Sequence, residues 1–120
     1  METVMINGVE YVPASQVIPV ETMDGMEYKI VRTFSAGVFA GYIEKREGKE
    51  VTMRNARRIW YWDGAASLSQ LAMEGTCKPE NCKFAIPVDR VVVTEAIEIL
   101  DVTQRAKDSI DGVALWRAEA

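Results

Sequence analysis

The stretch Arg57-Arg58-Ile59-Trp60-Tyr61-Trp62 puts two arginines and three aromatics into six consecutive positions. Arginine forks bind phosphate and carboxylate bidentately, and they stack on flat rings. Aromatic faces accept nucleobases and guanidinium groups. Together these side chains suit a flat, phosphate-bearing ligand, but each has a plainer reading. Trp60 and Trp62 are either stacking platforms or the large core residues that strands usually carry. Arg57 and Arg58 are either phosphate clamps or edge arginines engaged with solvent or a neighbouring subunit. Adjacent strand residues face opposite ways, so only one of the two can point into a given pocket unless a bulge intervenes. Gly64-Ala65-Ala66 runs into a helix start, where it either exposes amides to an anion or packs a strand-to-helix turn. Phe84, after the Cys77–Cys82 turn, is either a ring over a base or a core phenylalanine.

Other chemistry finds less support. The chain has no histidine, the usual general base near neutral pH, and it carries no P-loop, paired-acid spacing or Gly-x-Ser-x-Gly elbow. No catalytic residue, and hence no enzyme, is expected. Cys77 and Cys82 fall short of the four ligands a zinc site needs, so they read as reduced thiols, with no metal and no cofactor. A formal charge of −4 and a pI near 4.9 argue against coating of duplex nucleic acid, which needs a basic stripe. A local basic pocket for a small anion remains compatible with an acidic protein. No run is long and apolar enough to span a bilayer, and the N-terminus lacks a signal-peptide pattern.

The elements that must position these residues follow from periodicity. Asn7-Gly8 between apolar runs predicts a hairpin over residues 3–12, ended by Pro13. Residues up to 27 have no clear period and read as a linker, so 1–27 forms an N-terminal hairpin arm and linker, and 28–120 a single core domain. Strands are expected at 28–32, 38–45 and 51–62, the last two joined through Glu47-Gly48-Lys49. Alternation along the third puts Arg54, Arg58, Trp60 and Trp62 on one face and Asn55, Arg57, Ile59 and Tyr61 on the other. Ser67 and Gln70 form a capping box for a helix ending at Gly75. Extended segments follow at 83–88 and 90–93. The stretch 95–102 alternates like a strand, although Thr94-Glu95-Ala96-Ile97 equally suits a helix start. A second short helix runs from Asp101 or Thr103 to Gly112, and 113–116 adds a closing strand. The expected class is α+β, mostly antiparallel β-sheet with two short helices and the N-terminal arm. Three tryptophans in so small a chain point to a homo-oligomer.

From Tyr28 to Trp116 the order of these pieces resembles a family of small phage and prophage proteins. The resemblance rests on Val31-Arg32-Thr33-Phe34-Ser35-Ala36-Gly37-Val38 and on Ala56-Arg57-Arg58-Ile59-Trp60-Tyr61-Trp62 with Gly64-Ala65-Ala66-Ser67-Leu68. Asn81-Cys82-Lys83-Phe84 and Thr94-Glu95-Ala96-Ile97-Glu98-Ile99 complete it. The family is similar to the first type of Thoeris anti-defence protein, a phage sponge for signalling nucleotides. Thoeris is a bacterial defence in which a TIR enzyme converts NAD to a cyclic ADP-ribose isomer. The resemblance implies capture of that signal without cleavage, in the cytoplasm of the infected host. It also implies multimers with pockets shared between subunits and a second class of site for cyclic oligonucleotides. Phe84 would match the family's base-stacking ring and Thr94 its polar partner, where an asparagine would suit base recognition better. Arg57 or Arg58 would meet the phosphates, with Arg32 and Arg105 as further candidates. The runner-up function is inhibition of a host defence enzyme by direct protein–protein binding, as in anti-CRISPR proteins. A nucleotide-degrading enzyme comes third.

Overall fold

The computed structural model describes residues 4–6, 9–11 and 22–118. It has the expected class, a mostly antiparallel sheet with two helices. Strands β1 (Val4–Ile6) and β2 (Val9–Tyr11) pair antiparallel, with Val4 opposite Tyr11, as a ladder separate from the main sheet. The Asn7-Gly8 turn itself and most of the expected linker lie outside the described residues. The end of that linker differs from expectation: Asp24-Gly25 is a tight turn with both φ angles positive, closed by two backbone hydrogen bonds between Met23 and Met26. It is an Asp-Gly hairpin signal that leads straight into the first core strand.

The main sheet contains β3 (Glu27–Thr33), β4 (Val38–Glu47), β5 (Glu50–Tyr61), β6 (Lys83–Phe84), β7 (Val88–Val93) and β8 (Ala96–Asp101). The order is β6-β5-β4-β3-β8, and β7 lies beside β6 along the same edge of β5. In a flat sheet, β7 and β8 would be four strand spacings apart, roughly 19 Å. Yet only Thr94 and Glu95 join them. Three Cα–Cα steps reach about 11 Å at most. The sheet must therefore curl until its two edges meet at that end.

Curling produces two cores. The concave side buries Val31, Phe39, Val51, Met53, Ala56 and Val93, with Ile43, Val91, Ala96 and Ile99 partly buried against them and no helical residue among them. The convex side buries Tyr28, Ile30, Ala40, Tyr42, Ile59 and Phe84 under helices α1 (Leu68–Glu74) and α2 (Gln104–Asp111). Ser67 caps α1 by accepting from the Gln70 N–H at 3.1 Å, while the Gln70 side chain accepts from the Ala66 N–H. Thr103 caps α2 and donates its hydroxyl to the Met73 carbonyl at the end of α1, locking the two helices together. The segment expected as a closing strand is reduced to one parallel bridge between Leu115 and Phe84.

Two bulges in β5 decide where its side chains point. Asn55, at φ 51°, is the extra residue where Asn55 and Ala56 oppose Gly41. A side chain on Gly41 would lie 2.8 Å from the Ala56 Cα, so only glycine admits the bulge there. Beyond it the alternation slips by one. Arg54, Arg57 and Ile59 pair with Tyr42, Ala40 and Val38 on the convex side, whereas Arg58 pairs with Phe39 on the concave side. The uninterrupted alternation that grouped Arg54 with Arg58 is thus corrected. A second irregularity, where Trp60 and Tyr61 oppose Lys83, turns both aromatics outward at the strand end.

The left-handed backbone at Asn55 is costly for branched side chains. Asn55→Val should destabilise the protein by about 1–3 kcal/mol, and Asn55→Gly should be close to neutral. Chemical denaturation of the two variants measures the difference directly.

Candidate functional site

The two adjacent arginines take opposite roles. Arg57 is buried against the convex core, and its guanidinium donates five hydrogen bonds, all to main-chain carbonyls. Nε reaches Ala85 at 2.8 Å. One terminal nitrogen meets Ile110 at 2.8 Å and Val113 at 3.0 Å; the other meets Phe84 at 2.9 Å and Ala114 at 3.2 Å. Burial lowers its pKa from the usual arginine value, opposed by nearby Tyr28 and Asp111. With every N–H engaged, Arg57 has no donor left for a phosphate.

Phe84 is fully buried, with Arg57 5.5 Å from its ring centre. The reading of Phe84 as a base-stacking ring is therefore corrected: its ring faces the core, beneath Ile59 and the C-terminal segment. Trp62 is also tied into the structure, donating its indole N–H to the Ala65 carbonyl at 3.2 Å. The Gly64-Ala65-Ala66 turn uses its own polar groups. The Gly64 N–H goes to Asp63, that of Ala66 goes to Gln70, and the Gly64 carbonyl accepts from Cys77.

Arg58 and Trp60 point the other way. They line one open concavity of about 560 Å³ together with Ser35, Ala36, Gly37 and Ile59. Arg58 lies 4.6 Å above the Phe39 ring, a cation–π contact worth about 0.5–2 kcal/mol that fixes the guanidinium over the end of the concave core. The opposite wall, the β3–β4 loop, is pinned on both sides. Thr33 bonds Gly37 and Ala36, and Glu95 accepts from the Ser35 hydroxyl at 2.9 Å and from the Phe34 N–H.

Trp60 stacks against Trp116 at 5.0 Å between ring centres, and the Lys83 ammonium sits 5.3 and 5.6 Å from the two rings. Trp116 and Arg117 line a neighbouring concavity of about 380 Å³. Arg58, Lys83 and Arg117 form no ion pair with any carboxylate among the described residues, whereas Lys29, Arg32, Lys45, Arg54, Arg90 and Lys107 do. Positive charge and exposed rings thus converge on one edge of an otherwise acidic chain.

Of the seven residues singled out as ligand contacts, the concavity unites Arg58 and Trp60. Arg32 lies elsewhere, bonded to Glu98 at 2.9 Å on the β3–β8 pair. Arg105 is exposed on α2, which packs on the convex side. Thr94 is exposed in the β7–β8 turn beside Glu95, near the loop wall but outside the lining. Lys83, Arg117 and the Ser35–Gly37 wall escaped the reading of the sequence because they are distant in the chain and gain their meaning only from the curl of the sheet. Among the described residues no group of three or more potential ligand side chains is placed to hold a metal ion.

The fold is a small α+β domain built on a curled antiparallel sheet. The chain belongs to the family named domain of unknown function DUF6948, which matches residues 26–110. No curated protein and no solved structure matches the chain. No helix among the described residues is long and apolar enough to cross a membrane.

Two outcomes separate the structural residues from the exposed ones. Phe84→Ala should cost about 3–5 kcal/mol of stability by opening a cavity, read as a large fall in melting temperature. Arg57→Lys should also destabilise, by about 1–3 kcal/mol for each carbonyl left without a donor. The Phe84 and Ile110 carbonyls keep the N–H groups of Trp116 and Val113, but an ammonium at one point does not span those of Ala85, Val113 and Ala114. Urea titration of Arg57→Lys giving an unchanged midpoint would show that water satisfies those carbonyls.

Proposed function

We propose that this protein captures a flat, phosphate-bearing small molecule of the cyclic ADP-ribose type and holds it without cleaving it. On this reading it is a phage-encoded sponge that works in the cytoplasm of an infected bacterium as a homo-oligomer. The observation that carries the proposal is the pairing of Arg58 with Trp60 in one concavity, on an edge where Arg58, Lys83 and Arg117 meet without ion-pair partners among the described residues. A phosphate supplies the missing countercharge, and the indole face supplies stacking for a base. Sequestration needs affinity and no nucleophile, in keeping with a site that offers arginine, lysine and tryptophan.

A second reading, direct binding to a host defence protein, draws on a different observation. Phe34 is 75% exposed, and Tyr61, Ile86, Val88 and Leu115 are each exposed to about half. Such apolar surface suits a protein partner as well as a second copy of this chain.

One experiment separates these readings. The protein is incubated with the cyclic ADP-ribose isomer made by a TIR enzyme, separated from free ligand, and heated. Intact ligand in the supernatant supports sequestration, a changed product indicates an enzyme, and undepleted ligand favours the protein–protein reading. Arg58→Lys should weaken capture about tenfold despite the retained charge, since an ammonium lacks the bidentate fork. Calorimetric titration with equal affinities for Arg58→Lys and the parent would remove Arg58 from the site.

A further inference from the structure

The edge that carries Arg58 and Trp60 does not stop there. Trp116 lies against Trp60 with the two rings tilted by 32°, so each indole is covered on part of one side and open elsewhere, Trp60 to 60% and Trp116 to 45%. Each ring also has its own arginine. Arg58 lines the concavity that holds Trp60, and Arg117 lines the one that holds Trp116. Lys83 stands between them, within 6 Å of both ring centres. The arrangement repeats one unit twice, a ring with a cation, and adds a third cation at the junction.

A ligand with one base leaves half of this edge unused. We infer that the site takes two nucleobases joined through phosphate, one base on Trp60 and one on Trp116, with Lys83 facing the linking phosphate and Arg58 or Arg117 a terminal one. This rests on the nucleotide reading above and extends it from one ring to two. The main chain supports such a role for Trp116. Its N–H donates to the Phe84 carbonyl at 2.9 Å, the same carbonyl that accepts from Arg57, so the C-terminal segment is held beside β6 by buried bonds. Stacking on indole is tolerant of base identity, so the chemistry recognised is a pair of linked nucleotides, whether a free dinucleotide or a segment of a single strand.

The test compares two probes with equal phosphate number. ADP-ribose carries one base and two phosphates, and the linear dinucleotide pApA carries two bases and two phosphates. Affinities are measured by calorimetry at fixed salt with the full chain. The parent should bind pApA about 5- to 150-fold more tightly than ADP-ribose, the increment expected of a second stacked base. Trp116→Ala should remove the advantage of pApA over ADP-ribose, and any loosening of Trp60, which packs on it, lowers the affinity for both probes alike. Its melting temperature should stay near that of the parent, because the ring is half exposed and the bond it makes to Phe84 is from the main chain.

A ten-nucleotide oligoadenylate separates the two sources. Binding as tight as that of pApA indicates a strand segment, and exclusion indicates a free dinucleotide with both ends recognised. Equal affinities for ADP-ribose and pApA, or an equal loss of both in Trp116→Ala, would overturn the two-base inference while leaving the single-nucleotide reading in place. Absence of pApA binding would overturn the two-base inference, while the single-nucleotide reading is decided by the capture experiment with the cyclic isomer.

Discussion

A single buried guanidinium organises this protein. Arg57 draws together the carbonyls of Phe84 and Ala85 after β6, of Ile110 at the end of α2, and of Val113 and Ala114 in the C-terminal segment. These groups come from three stretches of chain that share little other main-chain pairing, the Phe84–Leu115 bridge and the Val113 N–H bond to the Ile110 carbonyl. A buried charge without a carboxylate normally carries a heavy desolvation cost. Here the cost is met by five oriented dipoles, one of them at the negative end of a helix. The arrangement works only if every carbonyl is in place, which makes Arg57 a test of whether the convex side has assembled correctly. It also links core to edge, because the Phe84 carbonyl that Arg57 holds is the one that holds Trp116.

The sheet's curl has a comparably simple origin. Thr94 and Glu95 are too few to span a flat sheet, so the β7–β8 turn forces closure, and closure lets the concave core bury itself without helices. The same turn reaches the β3–β4 loop through Glu95, which takes hydrogen bonds from Ser35 and Phe34. One short connection therefore sets both the curvature and the wall facing Arg58. The two sides of β5 then diverge: what points to the convex side is consumed by packing, and what points to the concave rim stays available.

Local chemistry was legible in the sequence; long-range geometry was not. The Ser67–Gln70 capping box, the Thr103 start of α2 and the hairpin at Glu47-Gly48-Lys49 depend on neighbours a few residues apart, and each formed where its signal lay. Alternation also sent Arg57 and Arg58 to opposite faces. The Asn55 bulge had only one local sign, an asparagine within a strand, and what admits it is Gly41 on the neighbouring strand. Phe84 read equally as a ring over a base or a core residue because it follows the Cys77–Cys82 turn. Its burial comes from Ile59 and from a C-terminal segment some thirty residues away. The meeting of Trp60, Lys83 and Trp116 has the same character, a consequence of closure that no local pattern encodes.

Affinity sets a further constraint on the proposed function. Holding a signal at nanomolar concentration requires about −12 kcal/mol. One stacked base supplies about 1–3 kcal/mol, and a hydrogen bond to a charged group about 1.5–3 kcal/mol. Association costs at least about 4 kcal/mol in lost translational and rotational freedom. A base on Trp60 and two phosphate bonds from Arg58 therefore leave a single open concavity several kcal/mol short. Its surface is wide open to water, which also screens the charges. Enclosure removes that deficit by excluding water and adding contacts on the ligand's far side. The exposed Phe34, Tyr61 and Leu115 are chain neighbours of the lining residues Ser35, Trp60 and Trp116, so apolar surface borders the site. A second copy seated on that surface would bury it and cover the concavity in the same step. On the proposed function, sequestration and self-association are thus physically coupled: a protomer that stayed alone would bind such a ligand too weakly to act as a sponge.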